Sequence, residues 1–78
     1  MYEWLRDTLV ERLKLPADAV RPDAPAEAAG LDSLAVTELV MIAQEELGLD
    51  ADEDELAGLG TIGEVAAYLE SRRQPAAR

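Results

Sequence analysis

Apolar positions recur with helical spacing along almost the whole chain. Tyr2, Leu5, Leu9 and Leu13 stand at i, i+3, i+7 and i+11, with Arg6, Asp7, Glu11 and Arg12 on the other side. That pattern predicts an amphipathic helix, which Pro16 stops. Residues 17–30 hold Pro22, Pro25, Gly30 and six alanines, and read as a long tethered loop. Val20 is the only large apolar residue in it and is expected to be pinned into the core.

A second helix is predicted from the Asp32-Ser33 step. Asp32 suits the N-cap, where its carboxylate accepts a hydrogen bond from an orphan N–H of the first turn. Val36, Leu39, Val40, Ala43 and Leu47 form its apolar stripe, and Gly48 is the expected left-handed residue after its end. Residues 50–55 then carry five acids in six positions, followed by Leu56 and Leu59. Gly58 and Gly60 weaken any helix there by about 1 kcal/mol each relative to Ala, so the third helix should be short and labile. Thr61-Ile62-Gly63-Glu64 is a capping box, and Ile62, Val65, Ala66 and Leu69 give the last helix its buried face. No β-branched alternation or Asn-Gly hairpin signal competes with this reading. The expected fold is an all-α, four-helix bundle, with three main helices, a short third one and a long loop after the first. A single domain should span residues 1–71, with a flexible basic tail at 72–78.

Composition narrows the chemistry. With 78 residues, the chain is one small domain that buries only about 60–65% of its unfolded surface, leaving little room for a substrate cavity. It has no Cys and no His. Disulfides, zinc-finger sites, thiol nucleophiles and Ser-His-Asp or Cys-His arrangements are therefore excluded. Carboxylate pairs remain, but without an evident cleft around them. The chain reads as something other proteins act upon rather than as an enzyme. The polar, amphipathic N-terminus lacks the apolar run of a signal peptide, and the longest uncharged apolar stretch, residues 39–43, is far too short to cross a bilayer. A cytoplasmic chain is expected, and the starting Met1 favours a free-standing one.

Charge is distributed unevenly. There are 17 Asp and Glu against 7 Lys and Arg, for a net charge of −10. Such a balance disfavours nucleic acid and anionic membrane surfaces as partners. Every cation lies at Arg6, Arg12, Lys14, Arg21, Arg72, Arg73 or Arg78, so residues 22–71 hold 13 acids and no Lys or Arg. Ordinary solvated helices mix both signs in i, i+4 pairs. Fifty residues without a compensating cation leave self-repulsion unrelieved, which points to a cationic partner.

The candidate site is the segment Gly30-Leu31-Asp32-Ser33-Leu34. Ser33 opens the second helix, where a phosphate attached to its hydroxyl would lie at the positive end of the helix dipole. Asp-Ser at a helix start is also a common capping sequence, and the tripeptide alone does not separate the two meanings. The wider pattern does. Glu38-Leu39-Val40-Met41, Glu45-Glu46-Leu47, Asp52-Glu53-Asp54, Thr61-Ile62-Gly63-Glu64 and Tyr68-Leu69 follow it in register. Together with the Asp-Ser-Leu segment, this series resembles the acyl carrier protein family from the first helix to Leu69.

The resemblance implies that Ser33 is esterified by 4′-phosphopantetheine from coenzyme A, whose terminal thiol carries an acyl group as a thioester, with Asp32 and Leu34 flanking the attachment point. It assigns Glu38, Met41 and Glu45 to a partner-docking face, although Met41 at this spacing could equally fill the core. The implied partners are a phosphopantetheinyl transferase and acyltransferase-, ketosynthase- and reductase-type enzymes with basic docking faces. They would meet a monomer that binds neither membrane nor nucleic acid and holds no metal.

The chain also departs from the family pattern. The loop between Val20 and Ser33 is about one residue shorter than usual, and Ala26 and Ala29 replace the customary large anchors, which predicts a looser loop. Leu47 stands where Phe is frequent and Asp52 where Pro is common. Asp before Ser33 favours acyl over aminoacyl or peptidyl cargo. The resemblance implies a carrier of polyketide or fatty-acid-type biosynthesis, the loop and the Ala- and Arg-rich usage leaning towards polyketide or other specialised biosynthesis, with an aminoacyl or peptidyl carrier of a nonribosomal-peptide-type pathway the alternative. An EF-hand reading of Asp50, Asp52 and Asp54 fails, because Glu55 stands where the turn needs Gly and Thr61 where the loop needs a bidentate Glu. The remaining rival is an unmodified acidic adaptor for a basic partner.

Overall fold

A computed structural model describes residues 1–73. In order, it contains α1 (Tyr2–Glu11), a single 3₁₀ turn (Ala17–Ala19), α2 (Ser33–Leu47), α3 (Glu53–Ala57) and α4 (Ile62–Arg72). The all-α, four-helix reading holds. Leu5 and Leu9 of α1, Leu39 and Ala43 of α2, and Ile62, Val65 and Leu69 of α4 meet in one fully buried core. Val20 is buried in it as expected.

The first helix ends earlier than Pro16 would require. Lys14 takes the left-handed region at φ +63°, and the N–H groups of Leu13 and Leu15 turn back to the carbonyls of Thr8 (3.1 Å) and Leu9 (2.9 Å). A continued helix would send residues two apart to nearly opposite sides. The turn instead packs both Leu13 and Leu15 against the core, so Leu13 reaches its expected environment from outside the helix. Along α1, the Trp4 indole N–H donates to Glu46 Oε1 (3.1 Å), and Arg12 at the C-terminal end of the helix pairs with the same carboxylate, closing the α1–α2 seam.

The stripe predicted on α2 is correct at Val36, Leu39 and Ala43 and needs correcting at its end. Leu47 is exposed, while Ile42 and Leu49 are buried. Gly48 is left-handed at φ +69°, as expected. That bend folds Leu49 under the helix terminus, into the place the pattern gave to Leu47. All four buried positions predicted on α4 are buried, and its capping box is complete. The expected tail starts inside this helix: Arg72 belongs to its last turn and donates two hydrogen bonds to the Asp50 carbonyl. Residues 74–78 of that tail lie outside the described residues.

The loop with small anchors is not left unanchored. Ala24, Ala26 and Ala29 are buried, and the chain they belong to is stitched to the start of α4. Pro22 O accepts from Gly63 N–H (2.8 Å), Ala24 O from Ile62 N–H (3.0 Å), and Gly60 O from Ala26 N–H (2.9 Å). The first N–H groups of a helix have no partner within it. Here the loop supplies two and the Thr61 hydroxyl a third. Small side chains permit the approach: a Cβ at Gly63 would lie 2.7 Å from Pro22 O. Gly63→Ala gains about 1 kcal/mol of helix propensity but must push two backbones apart. The expected outcome of urea denaturation is a net loss of roughly 1–2 kcal/mol.

Candidate functional site

The residues that open α2 are held from several directions. Gly30 adopts φ +107°, and the Leu15 side chain lies only 2.9 Å from where a Cβ at Gly30 would stand. The positive φ is what requires glycine there. The next turn is tied by Asp32 N–H to Gly30 O (3.0 Å) and Leu31 N–H to Ala26 O (3.0 Å). Asp32 then caps the helix, its Oδ1 accepting from Ala35 N–H at 2.9 Å. Its carboxylate is thus engaged in holding the helix start.

Ser33 is the first residue of α2 and is exposed. Its hydroxyl makes no hydrogen bond among the described residues. The N–H groups of Ser33 and Leu34 likewise have no intramolecular acceptor there, so the positive end of the helix faces outward beside the hydroxyl. Next to Ser33 opens a cleft of about 470 Å³ between the 25–31 loop, the start of α2 and α3. Its walls include Leu31 and Val36 on one side and Leu56, Ala57 and Leu59 on the other, with Glu27 and Asp32 also lining it. The chain length had implied little room for such a space. It lies where the 25–31 loop meets the facing sides of α2 and α3, an arrangement that depends on long-range contacts.

Leu34, Glu38, Met41 and Glu45 share one face of α2 by their 4-3-4 spacing. All four are exposed, Leu34 at 70% and Met41 at 56%. Met41 is therefore not core filling. Glu46, one position on, belongs to the α1 seam instead. No cation of this chain's 22–71 stretch neutralises the face.

Two residues with roles around the cleft escaped the sequence reading. The Thr37 hydroxyl lies 3.1 Å from Ser33 O and 3.2 Å from Glu53 Oε1. With a single hydrogen, it donates to one of them at a time. Tyr68, on α4, donates its phenol to Glu55 Oε1 (2.7 Å) and accepts from Asp52 N–H (3.0 Å). Desolvation, opposed by the Asp52 N–H and supported by the Glu55 hydrogen bond, raises its pKa above the ordinary 10.0, so the phenol stays a donor at neutral pH. The Tyr68–Arg72 spacing of one helical turn was visible in the sequence, but their partners 13 to 22 residues away were not. Asp52 caps α3 through Asp54 N–H and Glu55 N–H. Among the described residues, no three acids converge so as to hold a metal ion.

Comparison with known proteins decides the family. The model of a family described as a phosphopantetheine attachment site matches residues 3–69. The chain belongs to that family. Similar proteins named acyl carrier protein occur in Campylobacter hominis, at 39% identity over 91% of both chains, and in Bdellovibrio bacteriovorus, at 36% over 87% of this chain and 88% of the relative. Another, from Nitratidesulfovibrio vulgaris, is 31% identical over 91% of this chain and 95% of its own. The protein is an acyl carrier and not an enzyme, and its prosthetic group is a covalently attached 4′-phosphopantetheine. An exposed serine hydroxyl with no internal partner, at the rim of a cleft, fits such a group. So does the lack of any Cys, since the group brings the thiol.

Because Asp32 holds the start of α2, Asp32→Ala should lower stability by about 1 kcal/mol. The check is the urea midpoint followed by circular dichroism, with the slope unchanged.

Proposed function

We propose that Ser33 is the attachment point, and that the chain shuttles acyl intermediates between enzymes of polyketide-type or other specialised biosynthesis in the cytoplasm. The observation that carries this reading is the unpartnered, exposed Ser33 hydroxyl at the positive end of α2, beside the cleft. When bound, the arm supplies the thiol on which an acyl group rides as a thioester. The chain's own residues do the rest. Asp32 and the Gly30 turn fix the serine at the helix start. The N–H groups of Ser33 and Leu34 favour the phosphate at that point. Val36, Leu56 and Leu59 offer apolar walls to the first atoms of a cargo. The mixture of those walls with Glu27 and Asp32, and their small volume, suits short or oxygenated acyl groups better than long saturated ones. That preference supports the polyketide-type reading over fatty-acid synthesis.

Glu38, Met41 and Glu45 form the docking face in this proposal. Met41 gives an apolar contact and the two carboxylates steer a basic partner. Exposed charges act chiefly on the association rate and orientation, which suits a carrier that must also let go.

The deciding experiment incubates the apo protein with coenzyme A, Mg²⁺ and a promiscuous phosphopantetheinyl transferase, followed by intact-protein mass spectrometry. Wild type should gain one phosphopantetheine and a folded Ser33→Ala none. A folded wild type that gains nothing leaves an unmodified acidic adaptor as the better account. In the same assay, Glu38→Lys combined with Glu45→Lys should slow modification roughly tenfold at low salt. The difference should shrink towards 0.5 M salt, where charges are screened beyond a few ångströms.

A further inference from the structure

α3 is the wall of the cleft with the least support of its own. Five residues cannot hold a helix in water without tertiary contacts, and only Leu56 of α3 is buried. Its first turn is three acids, Glu53, Asp54 and Glu55, which favour the helix dipole but repel one another. Besides its packing against α2 through Leu56, polar contacts on two sides fix its position. On the α2 side there is one, Thr37 to Glu53, and Thr37 shares its hydrogen with Ser33 O. On the α4 side there are four. The Tyr68 phenol donates to Glu55 and accepts from the backbone of Asp52, the capping residue of α3, so it grips both the side-chain and main-chain parts of one turn. One turn further along α4, the Arg72 guanidinium lies over the Tyr68 ring at 5.7 Å and donates Nε and one terminal N–H to Asp50 O.

We propose that Tyr68 is the positioning residue of the cleft: from α4 it sets where α3 stands, and thereby how wide the space beside Ser33 is, with Arg72 as its support. The proposal concerns the site read above as the attachment region, and its significance for cargo rests on that reading. The geometry also supplies a direction of motion. Release of the α4 grip leaves α3 held where it packs against α2, through the buried Leu56 and the shared Thr37 hydrogen, so α3 pivots about that side while its α4 side moves away.

Residue-resolved amide exchange by NMR on the apo protein tests this without depending on attachment at Ser33. Tyr68→Phe keeps the ring and loses the hydroxyl. The amides of Leu56, Gly58 and Leu59, which bond within α3 and its end, should exchange about fivefold to tenfold faster, the worth of roughly one hydrogen bond. Amides of α1, α2 and α4 should be unchanged. The methyl resonances of Val36, across the cleft on α2, should shift together with those of Leu56, while Leu5 and Leu9 stay put. Arg72→Gln should move the same signals in the same direction by less. Unchanged exchange at Leu56, Gly58 and Leu59 in Tyr68→Phe would overturn the proposal. So would an equal acceleration in all four helices, which marks a general loss of stability, or faster α3 exchange with the Val36 methyls unmoved.

Discussion

The backbone pairing between the 22–26 segment and the start of α4 underlies the rest of the molecule. It solves two problems at once. A loop that long needs its own N–H and C=O groups satisfied, and a helix start needs acceptors for its first N–H groups. Each supplies the other through Pro22, Ala24 and Ala26 against Gly60, Ile62 and Gly63. With the loop fixed in this way, Leu31 is buried and the Gly30 turn is seated under Leu15. The first residue of α2 is then presented at a defined place on the surface. A side chain at 63 would add apolar area but hold the two backbones apart.

Charge shapes the surface without shaping the core. The acids of α2 and α3 are exposed, and among the described residues only Glu46 of these acids is in an ion pair, with Arg12, the other pairs joining residues of α1, the N-terminus and the end of α4. Exposed pairs of this kind contribute little to stability. The uncompensated face costs the isolated molecule some self-repulsion and gives it a strong field directed from one side. The same field explains why α3 needs holding, since its three leading acids stand in the most negative part of the chain.

Much of this was legible in the sequence where a local signal carries its own geometry. The Asp32 cap, the Thr61–Glu64 box and the left-handed Gly48 each fix a helix end through contacts within a few residues, and each is found as read. The misreadings share a different cause. Leu47 and Leu49 exchange places because the direction of the chain after Gly48 is set by the core. α1 stops before Leu13 because Lys14 accepts a conformation better suited to glycine so that two leucines can face inward. The motif made Ser33 the candidate, but the cleft beside it rests on contacts between the 25–31 loop, α2 and α3 that no spacing reveals. Thr37 and Tyr68, both ordinary helix-surface residues by pattern, take their meaning only from partners on other elements.

The seam closed by Trp4, Glu46 and Arg12 gives the protein a built-in optical reporter. Trp4 is the single indole in the chain, and Glu46 is thirteen residues along α2 from Ser33, about 20 Å of helix. Its emission therefore follows the joining of α1 to α2 at the end of α2 away from Ser33. Folding and unfolding can be followed through this one residue with no label added.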